Sequence, residues 1–411
     1  MTTNSHQIII VGGGAAGFFS AIHNKKNNPD STVIIIEKSP EVLAKVKVSG
    51  GGRCNVTHAC FDPKTLCDFY PRGHKELRGP FHSFQPRDTM QWFESHGVHL
   101  KIESDNRVFP TSNTSQSIID CLMSTAADLG VNLWTDCQVT QITKSDDTFS
   151  VSLTNGQDHI CQKLVLATGS SRRGHTFAIN LGHTIETPIP SLFTFKVDDT
   201  DLHERTGLSV ENTITYLSID KKRKQIGPLL VTHWGMSGPG IIKLSAWHAK
   251  ALHQTDYQAM LTVNWLANYD TESIQTRLQQ TQDQSPKKLC ISRSPFPEIP
   301  RRLWEYLVYR AGIAENQTWN NLSNKHTNKL IHELSQGQFQ IDGKTTFKEE
   351  FVTCGGVTLS EINFKTMESK VCKGLHIIGE LLDIDGVTGG FNFQNTWTTG
   401  YLSGQTATLP L

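Results

Sequence analysis

Nowhere does the 411-residue chain hold an apolar run over the roughly 18 positions that a membrane helix requires, so no bilayer span is expected. No basic-then-apolar leader precedes the first hydrophobic run at Ile8, which argues against a secretory signal. No C-x-x-C spacing occurs, and this excludes a disulfide relay of the thioredoxin-reductase type. The nine cysteines are odd in number and scattered, as in a reduced cytoplasmic protein. His58, His74, His82, His96 and His99 cluster loosely, but none is paired with a cysteine or acid at metal-ligand spacing, and no metal is expected. Charge of either sign is also missing in excess. The 39 basic and 39 acidic residues cancel, which gives no reason to expect nucleic acid or an anionic membrane as partner.

What is present begins at the front. Ile8–Val11 is a β-type run that leads directly into Gly12, Gly14 and Gly17 in G-x-G-x-x-G spacing, followed by helix-like sequence from Ala15 and Ala16. A second β-run, Val33–Ile36, ends at Glu37-Lys38, about 20 residues past Gly17. Gly12 permits a sharp strand-to-helix turn, Gly14 leaves room for a pyrophosphate, and Gly17 lets the helix pack on the sheet. The helix N-terminus offers unpaired N–H groups to phosphate, and Glu37 is placed for adenosine ribose hydroxyls. A glycine-rich turn alone explains the triplet but not the strand, helix and acid around it. The pattern reads as an adenine-dinucleotide site.

The far end indicates which dinucleotide. A short strand around Leu375–Ile378 runs into Gly379-Glu380, then through Asp383 and Asp385 to Gly389-Gly390-Phe391-Asn392-Phe393-Gln394, where a helix begins. In flavoproteins closed by the last chain segment, such a loop holds the ribityl chain and ring edge, and the helix start faces the region that turns anionic on reduction. Asp383 or Asp385 suits a ribityl hydroxyl. FAD is favoured over NAD. No second G-x-G-x-x-G is present, so NADH or NADPH would bind transiently rather than in a domain of its own.

Between these ends lies Lys47-Val48-Ser49-Gly50-Gly51-Gly52-Arg53-Cys54-Asn55-Val56-Thr57. Arg53 is placed to pair with pyrophosphate, and Asn55 to hydrogen-bond the cofactor. Cys54 is as readily a small buried hydrophobe as a redox group. With Thr232–Pro239, Thr366–Lys370 and Gly379–Gln394, the chain resembles the BaiN/YhiN-like family of bacterial NAD(P)/FAD-dependent flavoproteins over almost its whole length. The resemblance implies a glutathione-reductase-like FAD domain. It further implies reduction of conjugated enones such as dehydro-bile acids, or amine oxidation by oxygen, on a small-molecule substrate. Cofactor contacts would fall on Gly12, Gly14, Ala15, Ala16, Gly17, Glu37, Lys38, Gly52, Arg53, Cys54 and Asn55. They would continue through Val139, Thr168, Gly169, Gly379, Glu380, Asp385, Gly389, Gly390, Phe391, Asn392, Phe393 and Gln394. A catalytic acid or base is not identified. One departure is the short loop Ser170–Thr176, where Arg172 and Arg173 could meet an NADPH phosphate or simply be solvated.

Periodicity organises the rest. The expected architecture is α/β: a discontinuous Rossmann-like FAD domain over 1–187 and 350–411, with an inserted β domain over 188–265 and 337–349 and a helical subdomain over 266–336. Strands are expected at Leu192–Val197, Val210–Leu217, Leu229–Thr232, Met260–Trp265 and Glu350–Thr353. Ser237 is a candidate cap for a helix over Ile241–Ala251, with His233 and Trp234 as candidates for a substrate cavity. Two other classes stand beside the oxidoreductase reading: a flavin-bound redox sensor and a tRNA-modifying flavoprotein, the latter disfavoured by the absence of a basic stripe.

Overall fold

A computed structural model describes residues 4–345 and 352–405. The chain divides into two compact units, Met1–Ile189 with Val352–Leu411, and Pro190–Phe351. In the first unit, strands β1 (Asn4–Val11), β2 (Val33–Ile36), β3 (Asn132–Trp134), β4 (Asp158–Leu166) and β5 (Leu375–Ile377) form a parallel sheet in the order β5-β4-β1-β2-β3. Ile8, Ile9 and Ile10 and all of β2 are buried, because a parallel sheet covered on both faces leaves no side for polar residues. A meander of Val139–Ser145 and Thr148–Leu153 joins β4 in antiparallel fashion. This is a Rossmann-like α/β domain.

Helices α1 (Ala15–Asn27) and α2 (Phe391–Gly404) bring the two chain ends together. A Cβ on Gly404 would lie 2.4 Å from the Cβ of His23, so only glycine permits that approach. The Ser20 and Ser403 hydroxyls are 2.6 Å apart, and the Lys163 ammonium donates to Asn24 Oδ1 and the Ser403 carbonyl. Burial lowers the Lys163 pKa to about 7. This polar knot joins the sheet to both helices.

The second unit is a closed six-stranded antiparallel barrel with helices. Its strands are Phe195–Val197, Gly235–Ser237, Asp220–Thr232, Ser209–Leu217, Gln258–Asn264 and Gly337–Lys344, in that spatial order. Closure rests on the pairing of Phe195 with Lys344 and Val197 with Ile341. Helices Thr271–Gln284, Arg301–Arg310 and Asn324–Gln336 share its apolar core, which includes Trp265, Trp304 and Phe339. The expected strand Leu192–Val197 is shorter, and Leu229–Thr232 is the end of a much longer strand. Glu350 and Phe351, from the expected strand Glu350–Thr353, lie outside the described residues. Ser237 does not cap the following helix (Pro239–Gln254). It ends a strand, and Gly238 occupies the cap position at φ +98°, where a Cβ would come within 2.6 Å of the Pro228 carbonyl.

Candidate nucleotide-binding cleft

The first unit holds a cleft of about 670 Å³ along the C-terminal ends of its parallel strands, the place where open α/β sheets take ligands. The turn after β1 forms its floor. Gly12 sits at φ +116°, and a Cβ there would come within 2.4 Å of the Ala167 carbonyl at the end of β4. A Cβ on Gly17 would come within 2.0 Å of the Gly12 carbonyl, so helix and turn interlock only with glycine at both places. Gly14 differs: a Cβ there would meet nothing within 4 Å, because the position opens onto the cleft. The unpaired N–H groups at the start of α1 face the same space, a setting suited to phosphate.

Glu37 stands at the end of β2. Its carboxylate accepts N–H bonds from Gly13 (2.9 Å) and Ser39 (3.0 Å), which fix its direction while it lines the cleft. Lys38, Val139, Thr168, Gly169, Glu380 and Phe393 line the same cleft with Gly12, Ala15 and Ala16. Thr168 Oγ1 is buried without a hydrogen-bond partner, an acceptor and donor waiting on the cleft wall. Glu380 pairs with Lys45 and accepts from the Thr353 N–H at 3.1 Å. Arg173 lines the cleft and donates to the Val139 carbonyl at 3.1 Å; Arg172 and Arg173 are both exposed. A cleft whose wall holds an acid fixed by two amides, the open backbone amides of a helix start and an orphaned hydroxyl fits an adenine dinucleotide such as FAD.

Other anticipated contacts lie elsewhere. Arg53 is not on the cleft wall: its guanidinium pairs with Glu103 at 2.7 Å and stacks 4.0 Å above the Phe109 ring. Asp385 is fully buried in an ion pair with Arg72, and Asp383 accepts from the Gly355 N–H, so their carboxylates serve the closing loop itself. Cys54 is buried, and burial pushes its thiol up to about 12, which leaves it an inert packing group. Gly52 and Gly17 are off the wall, and Gly379 donates its N–H to Thr399 Oγ1 at 3.0 Å.

The closing loop is a knot of internal bonds. Asn392 both accepts from the Gly386 N–H and donates to the Gly386 carbonyl, each at 2.8 Å. Gln394 Oε1 accepts from Thr57 (2.6 Å) and Thr89 (2.9 Å) hydroxyls. Phe391 is buried in a cluster with the His58 and Phe69 rings, which also touch each other, and its carbonyl accepts from Tyr70. With its amide oriented to suit its neighbours, Asn55 accepts from the Gly390 N–H at 3.0 Å and donates to the Thr57 carbonyl. Gly389 and Gly390 both have positive φ, and a Cβ on Gly390 would lie 2.5 Å from the Thr57 carbonyl. The Ser49–Thr57 string and the closing loop thus recognise each other.

Sequence reasoning missed Gly13, Ser39, Lys45, Gln138 and Thr396 on the wall, and had Arg173 only as a candidate for an NADPH phosphate. Thr396 had a signal, since it stands one helical turn beyond Phe393. His233 is exposed and Trp234 bonds Thr194 Oγ1 at 3.2 Å, with neither on the cleft wall.

Residues 6–406 match the family model described as HI0933-like protein Rossmann domain. The chain is 26% identical to a 3-dehydro-bile acid delta(4,6)-reductase of Clostridium scindens, over 90% of this chain and 91% of that protein. It is 27% identical to a ribosomal RNA dihydrouridine synthase of Escherichia coli, over 88% of each chain. Among solved structures, a 3-ketosteroid-delta4-(5alpha)-dehydrogenase from Rhodococcus jostii matches with TM-score 0.50 at 15% identity, covering 98% of this chain and 96% of that one. Escherichia coli quinol fumarate reductase matches with TM-score 0.51 at 13% identity, covering 98% and 70%. At such identities the solved structures speak for the fold alone. With the cleft and the near full-length match together, the chain belongs to the HI0933-like Rossmann family and is a flavoprotein oxidoreductase.

Proposed function

We propose that this protein is an FAD-dependent reductase that draws on NADH or NADPH and saturates a carbon–carbon double bond conjugated to a carbonyl. The observation that carries the flavin reading is the cleft, with Glu37 held by two amides and the unpartnered Thr168 hydroxyl on its wall. When bound, the flavin supplies the hydride chemistry. The chain's own part is to bind and orient it: α1 presents N–H groups to phosphate, Glu37 receives the ribose, and Phe393 and Thr396 line the wall. The reductive direction is supported by the bile-acid reductase relative. The nicotinamide would dock transiently, since the sequence has one dinucleotide fingerprint.

A second reading of the substrate has its own support. The relative named for dihydrouridine formation in ribosomal RNA also saturates a double bond conjugated to a carbonyl, that of uracil. The same flavin chemistry serves a small enone or a base in RNA. Anaerobic mixing of the yellow holoprotein with NADH, then NADPH, should bleach the flavin band. A 3-oxo steroid with a conjugated double bond, or a uridine-containing RNA, should then restore the colour in proportion to product. Flavin that neither nucleotide reduces, in a protein that amines bleach instead, would overturn the reductase reading.

A further inference from the structure

The zero net charge conceals a local concentration of one sign, which corrects the expectation that the chain has no basic stripe. Lys221, Lys222, Arg223 and Lys224 are consecutive and all exposed, at the start of the long barrel strand Asp220–Thr232. Among the described residues, no carboxylate side chain forms an ion pair with any of the four. Asp220, the nearest acid in sequence, turns its carboxylate back to accept the N–H groups of Lys222 and Arg223, at 3.1 and 3.3 Å. A run of cations on a strand is commonly just a solvated edge. Two features set this one apart.

The first is that aromatic rings stand among the cations. Arg223 lies flat over Trp247 at 3.8 Å, and Lys224 sits 5.5 Å from the Tyr216 ring. Arg223 and Lys224 are adjacent on a strand and so point to opposite faces, which places a cation–ring pair on each. Trp247 and Tyr216 are both partly exposed. The second is that the helix bearing Trp247 (Pro239–Gln254) packs along this strand and brings the ring to Arg223, while Lys243 and Lys250 on that helix are engaged in interactions of their own. Cations held at fixed positions by rings, with ring surface still open, suit a chain of phosphates joined to flat bases. A lipid surface would instead favour a cluster of exposed apolar residues at the tip, whereas Ile219 in the turn and Ile226 on the strand are exposed singly, with the four cations between them.

We infer that the hairpin Ser209–Leu217/Asp220–Thr232, with Trp247, is an RNA-contacting surface that grips phosphates through Lys221–Lys224 and stacks bases on Trp247. The inference rests on the barrel surface and extends the RNA reading of the substrate; binding is measured without turnover, so failure of the reductase reading would leave it standing. The experiment is fluorescence anisotropy of the full holoprotein with fluorescein-labelled single-stranded oligouridine across a salt series. Each lost phosphate contact should flatten the plot of log affinity against log salt by about 0.7 for single strands. The quadruple change Lys221→Ala, Lys222→Ala, Arg223→Gln and Lys224→Ala should weaken binding at least tenfold at low salt and flatten the slope by roughly 2–3. Trp247→Ala should weaken binding several-fold at unchanged slope, with Trp247→Phe restoring most of it, which a merely structural role for the ring would not produce. Flavin absorbance per mole of polypeptide should stay at the parental value in all variants. The inference fails if the parent does not bind the oligonucleotide, if the quadruple variant binds with the parental slope, or if vesicles rich in phosphatidylserine bind more tightly than RNA.

Discussion

The two glycine-rich turns of the first unit look alike in sequence and do different work. In the front turn, Gly12 and Gly17 are fixed by contacts within the chain, while Gly14 has open space where a side chain would begin. In the closing loop every glycine near the helix start is crowded by protein: Gly386 and Gly389 by Phe391, Gly390 by Thr57 and Asn55. The front turn is shaped around an absence that a ligand can fill. The closing loop is shaped around its own partners, with a buried ion pair, a doubly bonded Asn392 and a stacked Phe391. A glycine therefore reports a close approach without saying to what, and the surrounding atoms decide.

The comparison breaks most visibly at Asp385. It is fully buried against Arg72, so removing the carboxylate takes the buried ion-pair partner from that guanidinium. Asp385→Ala should lower stability by about 3–5 kcal/mol, with or without flavin. Urea denaturation of flavin-free protein measures this. An unchanged midpoint together with lost FAD affinity would return Asp385 to the cofactor and blur the contrast between the loops.

A paired substitution sharpens it. Gly390→Val places a side chain at φ +94° and against the Thr57 backbone, and should cost about 2–3 kcal/mol even in flavin-free protein. Gly14→Ala sits at φ −87° with nothing within 4 Å, and should leave flavin-free stability within about 0.5 kcal/mol of the parent. Its methyl group nevertheless intrudes where phosphate would lie, so its FAD dissociation constant should rise. If the two variants behave alike in both measurements, the distinction between a ligand-facing and a protein-facing glycine fails.

Glu37 tests the ligand side alone. Its two N–H bonds fix a carboxylate that lines the cleft where the ribose is proposed to lie, and Glu37→Arg replaces it with a cation. Loss of a charge-assisted hydrogen bond, at roughly 1.5–3 kcal/mol, corresponds to FAD binding weakened roughly ten- to hundredfold. Equal flavin occupancy after gel filtration would remove Glu37 from the ribose.

Much of this cleft was legible in the sequence, for a local reason. Strand, turn, helix and the acid that follows the second strand lie within about 30 residues, the span of one βαβ unit. Val139, Thr168 and Gly169 were legible too, because strand ends in this architecture converge on the same edge. What was not legible depends on distant partners. Arg53 meets an acid 50 positions away, and Asp385 meets an arginine 313 positions away. An arginine beside glycines reads equally well as a phosphate ligand or as half of an ion pair until the fold chooses. The barrel shows the same limit: alternation announced its strands, but closure depends on Phe195 and Val197 reaching Lys344 and Ile341. The cap at Gly238 was hidden because Ser237 is the better cap by composition, and the strand ending there took it instead.

Arg53 gives the smallest expected effect and the cleanest test of that limit. Its side chain is 33% exposed and that of Glu103 25%, so the pair is partly solvated and worth about 0–1 kcal/mol. The stacking on Phe109 adds roughly 0.5–1 kcal/mol. Arg53→Met should therefore lower stability by about 1 kcal/mol, and Arg53→Lys by less, because an ammonium retains the ion pair but not the planar stack. Neither should change the FAD dissociation constant more than about twofold. Combining Arg53→Met with Glu103→Gln should cost less than the sum of the two, because each single change already removes the shared pair. Titration of flavin-free protein with FAD decides the matter. A dissociation constant raised tenfold or more in Arg53→Met would mean that Arg53 leaves Glu103 for the pyrophosphate when the cofactor binds. The Ser49–Thr57 string would then belong to the ligand-facing class with the front turn rather than to the closing loop it now holds.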